Sequence, residues 1–463
     1  MRFRVTNLGP LREAEIDLAK PLIILTGPNN SGKTYLAWVA YSLATMEPRL
    51  VDVPPALRQW AQQLWLSENR TLPLDSLLTI IPEILVGIAR KVKARLPADF
   101  AAPREYFTQS QIELFDSDEG YANTLLETQI RPFADHDGNI IIAWFIPKET
   151  NIGTTLSLAT QNVGPQLARF AMEQDENSVP LAQNAAASFA ISVVHQRARG
   201  LGWFAFPVER LAINLFVREL AANRIGLIDE LLDDTSTTSL QSRLRQGATR
   251  YPRAIRDAIQ RAIKAHRANE PGPLCDLADE LEASILSGRI TANAQDELEF
   301  IPDLDTAKFP LGLHQSASMI KSLASLVLYL RHEAHPGQRL LIDEPELNLH
   351  PDNQRRVARI LAKAVNRGLK VFMSTHSDYM IREFNNLIML GQDSEPARAL
   401  VQELGYDPQS TLRSEQLGVY LVNEGECTPL PITETGFEIK TIDDEVHKLN
   451  RDSQTIYMRL FGE

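Results

Sequence analysis

Short, unbroken apolar runs mark the two ends of the chain: Leu22-Ile23-Ile24-Leu25, then Leu340-Leu341-Ile342 and Val371-Phe372-Met373. Runs this short, apolar at every position and not at every second one, predict strands buried on both faces of a sheet. The first opens into a loop with Gly at both ends, followed by Lys33-Thr34-Tyr35-Leu36-Ala37, which reads as a helix start. Between the ends the period changes. From 49 to 118, Leu, Ile and Trp recur at helical spacing with prolines as punctuation, predicting a helical insertion. From 119 to 166 the pattern is strand-like over Thr124 to Phe133, Asn139 to Phe145 and Thr154 to Leu158, with His136-Asp137-Gly138 as a hairpin turn. Trp203 to Phe206 predicts another strand, ending in Pro207-Val208-Glu209-Arg210. A helical arm then reaches about residue 290, too short and too broken by Gly and Pro for a long coiled coil. Near the end, Val419 to Val422 and Leu430 to Ile432 flank a Glu424-Gly425-Glu426 turn. Asp443-Asp444-Glu445 falls on a terminal helix.

The expected division is therefore 1–48 and 296–400 as two parts of one α/β head with a mixed central sheet. A helical insertion spans 49–118, an antiparallel β lobe returning to the head 119–215, a helical arm with a basic face 216–295, and a small β/α extension 401–463. A chain of 463 residues can bury a large core. Its two cysteines, Cys275 and Cys427, lack metal spacing and suggest a reducing compartment. The apolar run from Ala185 to Val194 is too short to span a bilayer, and the N-terminus opens directly on a strand, so a cytoplasmic location is expected. A net charge of −12 confines any nucleic-acid contact to local patches. One such patch exists: Arg253, Arg256, Gln260, Lys264 and Arg267 share a helical face, while Ile255, Ile259 and Ile263 lie elsewhere. That face either tracks a phosphate backbone or is simply solvated or protein-facing.

The strand ends carry the chemistry. Gly27-Pro28-Asn29-Asn30-Ser31-Gly32-Lys33-Thr34, between a buried strand and a helix start, is the pattern of a phosphate-binding loop. Its N–H groups and the helix dipole converge on phosphates, Lys33 reaches the β- and γ-phosphates, and the Thr34 hydroxyl coordinates Mg²⁺. Asp343, at the end of its strand, would hold Mg²⁺ through water, and Glu344 would polarise the attacking water as general base. Alone, such an acidic pair is as readily a solvated turn. His376, ending the next strand, is placed to sense or hold the γ-phosphate.

As a set, these segments resemble the ABC-type ATPases of the SMC/RecF/OLD group. The resemblance is carried by the 27–34 loop, by Asp343-Glu344-Pro345-Glu346-Leu347-Asn348-Leu349-His350-Pro351, and by Ser374-Thr375-His376-Ser377. The opening Arg2-Phe3-Arg4-Val5-Thr6-Asn7-Leu8-Gly9-Pro10-Leu11 is similar to their opening strand. The resemblance covers roughly the first fifty and last hundred and eighty residues and implies an ABC-type P-loop NTPase head using ATP and Mg²⁺. It further implies Glu344 as base, His376 as switch histidine and Lys33 as phosphate contact. It also implies a head-to-tail homo-oligomer in which each subunit caps the other's nucleotide. The capping segment matches His314 to Leu323, where Ser316 and Ser318 stand at a helix start and Met319 replaces the usual Gly. The alternative is an ordinary N-capped helix whose Leu323, Leu326, Val327 and Leu330 face the core. Pro207 to Arg210 looks like an element of stand-alone OLD-like ATPases, with Arg210 directed at nucleotide, at a subunit interface, or into a structural ion pair.

What the resemblance implies about function divides three ways. OLD nucleases continue into a Toprim domain, whereas fewer than 90 residues follow His376, so intrinsic nuclease activity is not expected. Compact heads without Toprim or long coiled coils resemble the ATPase partners of PARIS- or Septu-type anti-phage systems, which control a separate effector, a nuclease or another toxin. The alternative is a RecF-like ATPase that clamps DNA in repair or recombination. An importer's ATPase subunit is disfavoured, because those carry an unbroken glycine-rich signature and no insertions of this size.

Overall fold

The computed structural model describes residues 1–66, 71–116, 133–134, 140–145, 155–159, 187, 190–192, 194–216, 251–264, 270–293, 297–303 and 309–461. Its strands, in chain order, are β1 (Arg2–Leu8), β2 (Leu11–Asp17), β3 (Leu22–Thr26), β4 (Thr71–Pro73), β5 (Gln111–Phe115), β6 (Phe133–Ala134), β7 (Ile140–Phe145) and β8 (Thr155–Ala159). They continue with β9 (Trp203–Phe206), β10 (Gly288–Ala292), β11 (Leu298–Pro302), β12 (Leu311–Gly312), β13 (Arg339–Asp343), β14 (Lys370–Ser374), β15 (Leu417–Asn423) and β16 (Glu426–Pro429). The helices used below are α1 (Lys33–Thr45), α2 (Ile81–Asp99), α3 (Arg253–Lys264), α4 (Cys275–Leu281), α5 (Ser318–Leu328), α6 (Pro351–Asn366), α7 (Asp378–Leu390) and α8 (Lys440–Phe461).

A nine-stranded sheet in the order β5-β1-β2-β16-β15-β3-β14-β13-β9 organises the head. Its half from β15 to β9 is parallel, and β5, β1 and β2 pair antiparallel at the other edge. The pleat explains why the parallel strands read as solid apolar runs. Ile23, Leu25, Leu341 and Phe372 pack on one face with α1 and α2, while Leu22, Ile24, Leu340, Ile342, Val371 and Met373 pack on the other with α5, α6 and α7. Each of these ten side chains is at most 2% exposed, so each contributes on the order of 1.5–3 kcal/mol of hydrophobic stabilisation. Because both faces are covered, the sheet is rigid, and the loops at the C-terminal ends of β3, β13 and β14 inherit that rigidity.

The predicted strands over the phosphate-loop, acidic and histidine segments are all present. So is the hairpin turn at Glu424-Gly425-Glu426, where Glu424 and Gly425 take φ of +48° and +82° and β15 pairs antiparallel with β16. Several boundaries differ from the pattern. The second arm of that hairpin is Glu426–Pro429, not Leu430 to Ile432, because Gly425 O accepts from Arg12 and Glu13 N–H and draws the arm onto β2. The 49–118 segment is largely helical up to Asp99, interrupted by the short strand β4, and ends in β5, which pairs with β1 as an edge of the main sheet. The helical arm stops before β10, and β10, β11 and β12 form a small antiparallel sheet. A four-stranded sheet, β4-β8-β7-β6, matches the strand-like stretch of 119–166, although β4 comes from the preceding segment. Residues 124–132, the His136-Asp137-Gly138 turn and residues 217–250 lie outside the described residues. Among the described residues, no helix is long and apolar enough to cross a membrane.

Candidate active site

The 27–34 loop leaves β3 at its C-terminal end and turns into α1, and the glycines are there for backbone reasons. Gly27 has φ of +134°, and a Cβ on it would lie 2.1 Å from the Val422 carbonyl oxygen. Gly32 has φ of +106° and sits as the N-cap of α1 against Leu11. Only glycine tolerates these conformations without strain. Asn30 adds a left-handed turn at φ +60°. Inside the loop, Lys33 Nζ donates to the carbonyls of Gly27 (3.0 Å) and Pro28 (2.7 Å) and to Ser31 Oγ (3.3 Å). Burial lowers the Lys33 pKa, and the carboxylates of Asp343, Glu344 and Glu346 oppose that shift.

The β13 end brings the acidic residues to the same place. Thr34 Oγ1 donates to Asp343 Oδ2 at 3.1 Å, and Ser374 Oγ donates to Asp343 Oδ1. Thr34 and Asp343 therefore present a hydroxyl and a carboxylate oxygen side by side, the hard-oxygen ligand set that suits Mg²⁺. Glu344 takes φ of +48°, a conformation that costs a non-glycine residue about 1–2 kcal/mol. Its N–H is held by Ser374 O at 3.2 Å. The carboxylate is thereby turned into the cleft, with His376 Nε2 3.7 Å from its Oε1 and both side chains 31% exposed. The cleft, of about 600 Å³, is lined by Pro10, Asn29 to Tyr35, Asp343, Glu344 and His376.

One residue of the site was not singled out from sequence. Glu346 Oε1 accepts from the His376 backbone N–H (2.7 Å) and from Thr375 Oγ1 (2.8 Å), so it fixes the loop that carries the histidine to the loop that carries the base. Its signal was the third acidic position of Asp343-Glu344-Pro345-Glu346. The next turn is capped by Ser377, which accepts from Met380 N–H and bonds the Gln354 side chain.

Two expectations need correction. The cap of α5 is Ala317, with no side-chain cap; Ser318 is the first helical residue and exposed, and Ser316 is buried with Oγ donating to Gly312 O at 3.3 Å. Neither serine lines the cleft formed by its own chain. The capping register moved because a tight turn over Leu313–Gln315 precedes the helix and consumes Ser316. Leu323, Leu326, Val327 and Leu330 do face the core. Arg210, in turn, is 2% exposed, and among the described residues it neither lines that cleft nor bonds a carboxylate but donates to backbone carbonyls.

The basic face on α3 is also partly turned inward. Arg253 donates to Thr45 O at 2.8 Å and lies 3.7 Å from Asp99 and 3.5 Å from Asp257, while Ala254, Ile255, Ala258 and Ile259 are buried. Arg256 is half-buried; the Lys264 side chain and Arg267 lie outside the described residues.

Residues 219–381 match the family model described as AAA ATPase domain. That segment contains the β13 acidic end and His376, and the phosphate loop lies outside it. No curated protein matches the chain. Among solved structures, the chain is similar to the Smc head domain with an extended coiled coil bound to the C-terminal domain of ScpA, from Pyrococcus furiosus. Identity is 12%, TM-score 0.33, and coverage 97% of this chain and 98% of that one. It is similar also to the SmcHead bound to the C-winged helix domain of ScpA, at 10% identity and TM-score 0.32, covering 93% of this chain and 96% of that one. The family match and the P-loop architecture support an ATPase.

The site makes a pH prediction. Burial first, then the neighbouring Asp343 charge, raises the Glu344 pKa above the ordinary glutamate value, against Lys33 and Arg210. A protonated carboxyl cannot accept a proton from water, so turnover should fall as pH drops through this raised value. The acid limb of kcat is expected above the pH at which an ordinary glutamate titrates. A kcat–pH profile with its acid limb at or below that pH contradicts Glu344 as base. His376 is lowered by burial and then by Lys33, which keeps the ring neutral near neutral pH.

Proposed function

We propose that the chain binds and hydrolyses ATP in the cleft between α1 and the β13 end. In this reading it assembles head to tail with a second copy when ATP is bound, and it controls a separate effector, a nuclease or toxin, in anti-phage defence. The observation that carries the ATPase part is the convergence of Thr34, Asp343, Glu344 and His376 on one loop, with Thr34 Oγ1 3.1 Å from Asp343 Oδ2. Residues 27–34 would cradle the phosphates through backbone N–H groups and Lys33. Thr34 and Asp343 would hold Mg²⁺, whose charge offsets that of the phosphates. Glu344 takes the proton from the attacking water, and His376, beside it, bonds the terminal phosphate or its leaving oxygen.

The assembly part rests on the resemblance and on where Ser318 lies: at the exposed start of α5, outside its own cleft, open to a second copy. The effector part rests on the family resemblance alone. The RecF-like alternative draws on the α3 basic face, and it is weakened by the engagement of Arg253 with Asp99 and Asp257. The deciding experiment is steady-state ATP hydrolysis by the purified chain with and without duplex DNA, with Glu344→Gln as blank. Turnover above the blank that DNA leaves within about twofold is expected. Strong stimulation by DNA that salt abolishes would replace this reading with the DNA clamp.

A further inference from the structure

Arg210 follows β9 and is buried, yet each of its four hydrogen bonds goes to a backbone carbonyl. Nη1 donates to Asp343 O (2.6 Å) and Pro207 O (3.2 Å), Nη2 to Glu344 O (2.6 Å), and Nε to Ser322 O (3.3 Å). Asn214 extends the connection, donating to Lys321 O at 2.8 Å and bonding the Ser325 hydroxyl. From the other side, Ser322 Oγ donates to Leu347 O at 3.2 Å. One guanidinium thus joins three pieces of chain: its own turn, the first half of α5, and the backbone on both sides of the candidate base.

A cation buried among neutral carbonyls costs several kcal/mol of desolvation that an apolar residue would not incur. Its pKa is drawn down to about 10 by burial, opposed by Asp343, Glu346, Glu344 and Glu209. Packing alone therefore does not account for an arginine here. What the residue supplies is a rigid fork: two N–H groups gripping consecutive carbonyls fix the 343–344 peptide, and with it the left-handed backbone that aims Glu344 into the cleft. Lysine, with a single flexible ammonium, cannot hold both carbonyls in that geometry.

We propose that Arg210 is a positioning residue that couples α5, the helix with the candidate signature segment at its start, to the orientation of Glu344 in the same chain. The proposal rests on the ATPase reading of the cleft. A shift of α5 on meeting a second copy's nucleotide pulls on Ser322 O, and the guanidinium passes that shift to the Asp343 and Glu344 carbonyls. The orientation of the base thereby follows the position of α5.

The test uses the full chain: wild type, Arg210→Lys, Arg210→Met, and Glu344→Gln as blank. ATP hydrolysis, equilibrium binding of labelled ATP and thermal unfolding are measured for each. Both Arg210 variants are expected to lose kcat by about 100-fold, the effect of misplacing a reacting group by roughly 1 Å, while Kd for ATP stays within about threefold. Either variant turning over ATP within about threefold of wild type overturns the proposal. So does a loss of ATP affinity that parallels the loss of kcat. If Arg210→Met fails to fold, Arg210→Lys must by itself show low kcat with retained Kd, or the proposal fails. Wild type no faster than Glu344→Gln instead overturns the ATPase reading, which keeps the two failures apart.

Discussion

Glu344→Gln is expected to bind ATP as the wild type does and to hydrolyse it about 10³-fold more slowly, within the range that removal of a general base produces. The amide has the size and hydrogen-bonding reach of the carboxylate, so the cleft and the left-handed backbone at 344 are preserved. What it cannot do is accept a proton from water. Asp343 does not take over, because Thr34 and Ser374 both donate to its carboxylate and hold it beside them. Nor does Glu346, whose Oε1 is engaged by the His376 N–H and the Thr375 hydroxyl. Phosphate release and equilibrium binding, measured on the same preparation, separate the two effects. If ATP drives assembly, light scattering should also show a larger mass for this variant with ATP than without it. Turnover within tenfold of wild type would take the base role away from Glu344.

The parts of this site that were legible in the sequence are those where backbone demands and chemistry coincide. Gly27 and Gly32 are required by φ values of +134° and +106°, so the loop had to be written in glycine, and a pattern can be read. The strands beside it are apolar at every position because both faces are covered, and that too leaves a clear trace. Asp343, Glu344 and His376 were locatable because each lies at the end of such a strand or within two residues of it.

The rest depended on contacts between residues far apart in the chain, for which local pattern carries no signal. Arg210 and Glu344 are 134 positions apart, and the same Pro-x-Glu-Arg letters serve equally well for an ion pair, a nucleotide contact or the carbonyl grip observed. β5 joins the main sheet by pairing with β1, although the helical period of the preceding segment gave no hint that the chain returns there. The cap of α5 shows a subtler failure. Ser316 has the right chemistry for an N-cap, but the tight turn before it already uses its hydroxyl, bonded to Gly312 O, and Ala317 is left at the capping position. For the basic stripe on α3 the helical period left a phosphate backbone, solvent and a protein surface all open as partners, and Asp99, from a helix more than a hundred residues away, draws Arg253 inward.

Lys33→Ala is expected to weaken ATP binding by at least about 100-fold without lowering the melting temperature. The ammonium lies at the centre of the loop, bonded to Gly27 O, Pro28 O and Ser31 Oγ, and it is the cation within that loop. Charge-assisted hydrogen bonds to phosphate are worth about 1.5–3 kcal/mol each, and every 1.4 kcal/mol is a tenfold change in Kd. Two such bonds lost would exceed the hundredfold expected. Stability should respond differently. Burial already lowers the Lys33 pKa, which means the fold bears a cost for keeping this charge out of water. Removing the ammonium relieves that cost and leaves the loop carbonyls beside an open cleft where water can reach them. The variant should therefore melt at the wild-type temperature or slightly above it while binding poorly. An unchanged Kd would mean that Lys33 does not contact the phosphates. A melting temperature that falls together with affinity would make Lys33 a brace for its own loop, and the phosphate grip would then rest on the N–H groups of residues 27–34.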